Sequence, residues 1–168
     1  MRRLPHTRSC FVCGLNNPAG LRLDFETDES VVRTEFIPGP EHAGFKETLH
    51  GGIISTVLDE VMVWVCGVRG KRFTYCAELN VRFLKPARAG HALTAEGALV
   101  SNRGNRLFEA KAELRDPQGK VLAMATGKYL PIPDNVVADL MSDFVESTEG
   151  LFGEEMGVAQ PLPDETGR

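Results

Sequence analysis

Two acids stand side by side where acids are costly. Asp59 and Glu60 interrupt the stretch His50 to Cys66, HGGIISTVLDEVMVWVC, whose other residues are mostly apolar. An ionised carboxylate taken out of water without partners is strongly disfavoured or shifts its pKa until it neutralises, so each acid here needs a partner or a task. On a helical wheel Asp59, about two turns after Gly52, shares a small polar face with Gly52, Ser55, Thr56 and Cys66. Glu60 is turned about 100° away, beside Ile53, Val57 and Trp64, so the two acids cannot point into one site. Asp59 is therefore the candidate for chemistry. A second cluster is the knuckle Cys10-Phe11-Val12-Cys13-Gly14. One Cys pair is half of a tetrahedral zinc site, whose other ligands would come from His6, His42 or another chain; the preferred reading is two packed thiols near a turn, with no metal.

The elements that must position these residues follow from periodicity. Ile53, Ile54, Val57, Leu58, Val61, Met62, Val63, Trp64 and Val65 spread nearly all round a helix starting after Gly51 and Gly52, and a helix apolar on most sides is buried. Residues 10–20, CFVCGLNNPAG, read as an ordered loop. Leu21, Leu23 and Phe25 alternate with Arg22, Asp24 and Glu26, and after a polar turn at 27–30 come Val32, Thr34 and Phe36, a β-hairpin pattern. Residues 37–49 read as a long loop delivering the chain to the helix. Four strands are expected afterwards, at 74–84, 92–101, 106–115 and 120–130, the last three as a meander. The order β-β-α-β-β-β-β is an α+β architecture, a curved antiparallel sheet around one central helix. From residue 131 the chain turns acidic, with an amphipathic helix expected near 135–146, Asp134 as its N-cap, and an apolar stripe of Val136, Val137, Leu140, Met141 and Phe144 that docks on the domain or a partner. The last dozen residues are expected to be disordered. The divisions are thus an N-terminal segment at 1–20, the domain at 21–131 and an acidic tail at 132–168.

The 168 residues suit one domain, and 42% hydrophobic residues suit a soluble one. A net charge of −4 argues against nucleic acid as partner. The N-terminus has two arginines without a following apolar region, and no uninterrupted apolar run has the length of a membrane span, so no membrane partner is expected. Cys10, Cys13, Cys66 and Cys76 are too few for a disulfide-built domain. Reduced thiols and a cytoplasmic location are the expectation.

His50-Gly51-Gly52 followed by Asp59, together with CFVCGLNNPAGLRL, ELNVRFLKPARAG and DPQGKVLAMATGKY, resembles the hotdog-fold thioesterases, in the phenylacetate-pathway-like acyl-CoA thioesterase branch. The likeness runs over about residues 10 to 130. It implies a homodimer whose sheets join edge to edge, or a homotetramer of such dimers, with active sites at the dimer interface. It also implies that Asp59 attacks the thioester or activates water, that the Gly51 N–H binds the thioester oxygen, and that the two come from different subunits. A helix N-terminus suits the oxygen-binding role, with unpaired N–H donors and a favourable dipole, and glycine permits close approach. Gly52 belongs to the same turn, and His50 orients it or donates to the oxyanion. Two positions depart from the family pattern. Gly44 stands where one branch has an asparagine that places water, and Cys76 stands where a Ser or Thr is common, with Thr74 two residues earlier. Either could hydrogen-bond the attacking water, Cys76 weakly; Cys76 is not expected to be a nucleophile.

Glu60 is expected to be structural or interfacial, at most a substrate contact. Lys85, Arg88, Arg103 and Arg106 are the basic residues expected near the mouth, where they would meet the phosphates of CoA. The function expected is hydrolysis of an acyl-CoA to free acid and CoA, requiring no metal or redox cofactor. A non-catalytic acyl-CoA binding module is the alternative; a hydroxyacyl thioester dehydratase is less favoured, because His50 and Asp59 do not supply its acid and base.

Overall fold

The structure is a computed structural model and describes residues 1–152. The tail expected to be disordered lies outside the described residues. The central helix, α1 (Gly51–Gly70), is preceded by β1 (Arg2–Arg3), β2 (Glu26–Thr27), β3 (Val31–Phe36), β4 (Ala43–Phe45) and β5 (Thr48–Leu49). It is followed by β6 (Thr74–Phe83), β7 (Leu93–Asn102), β8 (Phe108–Arg115), β9 (Val121–Pro131) and α2 (Asp134–Ser142). Seven strands form one antiparallel sheet in the order β1-β2-β3-β7-β8-β9-β6, while β4 and β5 form a separate small pair. β7, β8 and β9 are the expected meander. β6 returns to pair with β9 at the far end of the sheet, where it forms a ten-residue edge.

α1 is helical against its own propensity. Ile53, Ile54, Val57, Val61, Val63, Val65 and Val68 are β-branched and each costs a few tenths of a kcal/mol in a helix relative to better formers. Burial decides the matter: Val57, Leu58, Val61, Met62 and Val65 are completely buried, and each such side chain is worth about 1.5–3 kcal/mol. The sheet makes room with small inward residues, Ala95 and Gly97 on β7, Ala110 and Ala112 on β8, Ala123 and Ala125 on β9. Gly97 is required by contact, because a Cβ there would lie 2.8 Å from the Val61 carbonyl oxygen. By length and composition α1 would suffice to cross a membrane, a property that comes from lying inside the sheet. It ends where Lys71 takes a left-handed conformation, φ 55°.

Several local expectations need correction. The 21–26 segment is not the first arm of a regular hairpin. Arg22 adopts φ 54°, and the Leu21 and Leu23 N–H groups donate to Phe11 and Val12 carbonyls, so only Glu26–Thr27 pairs with β3. Leu23 and Phe25 are still buried, as the alternation implied. The 37–49 stretch is not a plain loop but a 3-10 turn at Pro40–His42 followed by the β4–β5 pair. α2 starts at Asp134 with Pro133 as N-cap, and Asp134 pairs with Arg72 instead of capping. The helix also stops at Ser142, before the expected end. Val137 and Met141 are buried, and Phe144 packs edge-on to Trp64 of α1 with ring centroids 6.1 Å apart. The apolar stripe docks on this chain only in part: Phe144 meets the central helix, Val137 and Met141 are buried, and Val136 and Leu140 stay exposed. Here the N- and C-terminal segments pair with each other: Arg8 N–H donates to Asp143 O, and Val145 N–H to His6 O.

Candidate active site on the central helix

His50 is the N-cap of α1, and its Nδ1 accepts from the Gly52 N–H at 2.8 Å. Its imidazole thus satisfies one of the orphan donors at the helix start, a cap in place of the usual Ser, Thr or Asp. This assigns His50 to the geometry of the turn; the Gly52 N–H, being capped, is not free to bind an oxyanion. The Gly51 N–H makes no hydrogen bond among the described residues and sits at the positive end of the helix dipole. A Cβ on Gly51 would lie 3.2 Å from the Phe83 ring, and one on Gly44 would lie 3.0 Å from the His50 ring. Gly44 is accordingly the residue against which His50 seats, and an asparagine there would have to displace the imidazole.

Asp59, two turns further along, is half-buried, and its Oδ1 accepts from the Tyr129 hydroxyl at 2.8 Å. Tyr129 is completely buried on β9, opposite Cys76 of β6 in the strand register. Its ring lies along the sheet only because residue 127 is glycine, where a Cβ would fall 2.7 Å from the ring. Burial, followed by the Asp59 charge, pushes the Tyr129 phenol well above its ordinary value, so it stays protonated and donates. Cys76 is pushed up to about 11 by burial and then by Asp59, and Cys66 to about 12 by burial, Asp59 and Cys76. Both are thiols at neutral pH, not nucleophilic thiolates. A β-bulge between Cys76 and Glu78 re-aims the strand beside the carboxylate. Among the described residues no lysine, arginine or histidine is in ion-pair range of Asp59 or Glu60.

Sequence reasoning missed Tyr129. Its signal was an aromatic with a polar tip at an inward position of β9, after Ala123, Ala125 and Gly127, where a buried hydroxyl needs a partner.

Glu60 faces away, as the wheel predicts. It lines a cavity of about 290 Å³ together with Cys10, Trp64, Phe73, Thr74 and Phe144. Burial, then the neighbouring Cys10 and Asp59, raises its carboxyl to about 8. Thr74 is buried in this cavity wall, with its hydroxyl unpaired, so it lies with Glu60 and not beside Asp59 as expected. The four basic residues do not converge within one chain. Lys85 and Arg88 follow β6 at the Gly51 end of α1, where Arg88 bridges to Thr48 and pairs with Glu47. Arg103 and Arg106 lie in the β7–β8 turn, one strand end from Phe108, whose ring abuts Gly70 at the other end of α1. Arg103 is paired with Glu109.

This long helix, wrapped by a strongly curved antiparallel sheet with an acid facing one strand edge, is the frame in which known proteins are similar. Residues 46–123 match the Thioesterase superfamily model. A solved structure of a thioesterase superfamily protein superposes with TM-score 0.67 at 25% identity, over 73% of this chain and 63% of that one. Over residues 46–123 the chain is similar to the thioesterase superfamily, and its fold is that of thioesterase superfamily structures. It is also 28% identical, over 61% of its length, to an Archaeoglobus fulgidus protein described as "Putative esterase". A Streptococcus mutans protein solved bound to acetyl-CoA has the same fold, with TM-score 0.60 at 15% identity over 66% of this chain and 88% of that one. The chain spans 65% of the length of the esterase and 63% of the first structure, less than two thirds of each.

Proposed function

We propose that this protein is an acyl-CoA thioesterase in which Asp59 acts on the thioester, directly or through water, and the Gly51 N–H holds the developing oxyanion. The observation that carries the reading is Asp59, a carboxylate without a cationic partner among the described residues, held beside the sheet edge by the Tyr129 hydroxyl. The match of residues 46–123 to the thioesterase superfamily supports thioester chemistry, and the similar protein solved bound to acetyl-CoA supports CoA as the leaving group.

Gly51 and Asp59 are eight residues apart, about 12 Å along the helix axis, too far to serve one carbonyl in the same chain. A second copy removes the difficulty. Two β6 edges related by a two-fold axis pair antiparallel, which sets the Phe83 end of one against the Thr74 end of the other. The ring of Phe83 touches Gly51, and Cys76 neighbours Asp59, so that pairing brings the Gly51 N–H toward Asp59 of the partner subunit. Lys85 and Arg88 then approach the partner's Arg103 and Arg106, which gives the CoA phosphates one basic mouth instead of two scattered pairs. The exposed Tyr75, Phe83 and Leu84 along this edge are the apolar surface that such pairing would cover.

In the reaction, the Asp59 carboxylate takes a proton from water as the oxygen attacks the thioester carbon, or attacks it itself to form a mixed anhydride that water then hydrolyses to free acid and the restored carboxylate. The carbonyl oxygen gains charge against the Gly51 N–H, and the CoA thiolate leaves. Tyr129 fixes the carboxylate's orientation throughout. The test is release of free thiol from a panel of short, medium, long and aromatic acyl-CoAs, run beside Asp59→Ala. Hydrolysis of a panel member, lost in the variant while the oligomer persists, is the expected result. A chain that hydrolyses none of them but is stabilised by one would be a binding module.

A further inference from the structure

The Glu60 side of the helix has an organisation that thioester hydrolysis does not use. The Cys10, Cys13 and Glu60 donor atoms lie within 4.8 Å of one another, with Cys10 Sγ 3.9 Å from Glu60 Oε1. The knuckle that presents the two sulfurs is tight. The Gly14 N–H donates to the Cys10 carbonyl at 2.9 Å, the Val12 N–H points at Cys10 Sγ at 3.2 Å, and a Cβ on Gly14 would collide with the Cys10 backbone at 2.2 Å. Backbone N–H groups aimed at sulfur stabilise anionic sulfur, the form a metal binds. Around these donors stands an outer ring. Thr7 Oγ1 contacts Cys13 Sγ at 3.6 Å and accepts from the Cys10 N–H at 3.2 Å. Thr74 Oγ1 lines the same cavity and is buried without a hydrogen-bond partner among the described residues, while the Trp64 indole, also in the cavity wall, directs its N–H toward the Glu60 carboxyl. Buried polar atoms without partners are uncommon, and a hydroxyl of this kind bordering a pocket beside a carboxyl and two sulfurs points to a polar occupant.

We propose that Cys10, Cys13 and Glu60 bind one divalent transition metal, zinc in chemical class, with a fourth position open to the cavity. Two thiolates and one carboxylate match the soft-to-borderline donor set of zinc, and three protein ligands leave room for a water. That water is what the Thr74 hydroxyl would meet, with the Trp64 N–H steadying the Glu60 carboxyl behind it. His6 is not a ligand: its two ring nitrogens lie 3.0 Å from Asp24 and 3.1 Å from Glu146. His42 is held by Gly39 N–H and faces Glu41. The metal fastens the N-terminal segment to α1 across some 50 residues of chain, and no step of the proposed hydrolysis passes through it.

The full-length protein, stripped with a chelator under reducing conditions, is titrated with Zn²⁺ and with Co²⁺. One equivalent per chain, a thiolate-to-cobalt charge-transfer band and a higher melting temperature with zinc are expected. Cys10→Ser or Cys13→Ser should abolish the band. Glu60→Gln, nearly the same shape, should weaken affinity by at least about tenfold, the loss that removing even an outer-shell partner of a metal causes. Should the cysteine variants fail to fold, the wild-type cobalt spectrum and Glu60→Gln decide. A reduced wild-type chain that takes up no equivalent of either metal overturns the site, as does binding unchanged in Glu60→Gln or in a folded cysteine variant.

Discussion

Asp59 and Glu60 are neighbours in sequence and strangers in space. The first meets a buried phenol and the Cys76 thiol on the sheet, with Cys66 beside it on the helix; the second meets a Cys-x-x-Cys knuckle, an indole and an apolar cavity. Neither has a cationic partner among the described residues, so their difference is not one of charge compensation. It lies in which segment covers each helix face. Strands β6 and β9 hold Asp59 at an edge open to a second copy, whereas the N- and C-terminal segments fold over Glu60. Two neighbouring acids can thus be given separate tasks by a rotation of 100°, one turned toward substrate and one toward the protein's own periphery.

The sharpest way to break this comparison is at Asp59. Asp59→Asn keeps an oxygen to accept from Tyr129 and should cost about 10²- to 10⁴-fold in hydrolysis, the range for a positioned base, with little change in melting temperature. Tyr129→Phe removes the hydrogen bond without removing the acid. It should destabilise by about 1.5–3 kcal/mol, the worth of a hydrogen bond to a charged group, and lower the rate less than Asp59→Asn does; denaturant melts and steady-state kinetics read both. His50→Ala unseats the cap on the Gly52 N–H and should cost about 1 kcal/mol of stability in the same melts. Cys76→Ala is the smallest, within about threefold in rate, because a barrier change below 1 kcal/mol is all a neutral neighbouring thiol should control. A large loss there would make the thiol a participant and redraw the Asp59 side.

Much of this arrangement was legible before the fold was known, and for a definite reason. β7 to β9 announce themselves because one-sided burial imposes a period on the chain, α1 because it is apolar on most sides over a length no strand has, and Asp59 because an acid in such a helix is costly. The same period misled at residues 21–26. Leu23 and Phe25 are buried in alternation, but the backbone bonds to Phe11 and Val12 instead of forming a ladder. Alternation records which side chains are inside, not which strand lies beside them. Tyr129 and the approach of Glu60 to Cys10 were hidden because both join residues far apart in sequence, 70 and 50 positions, whose meeting depends on sheet order and on the docking of the N-terminal segment. Asp134 shows the reverse limit: a good local cap is overruled by Pro133 before it and Arg72 beside it.

The most direct measurement compares Asp59→Asn and Glu60→Gln on one hydrolysed acyl-CoA, reading kcat from free thiol with the oligomeric state checked for both. Loss of about 10²-fold or more in the first, with the second within about threefold of wild type, is the predicted result. Equal losses, or activity surviving in Asp59→Asn, would contradict the division of labour between the two faces of the helix.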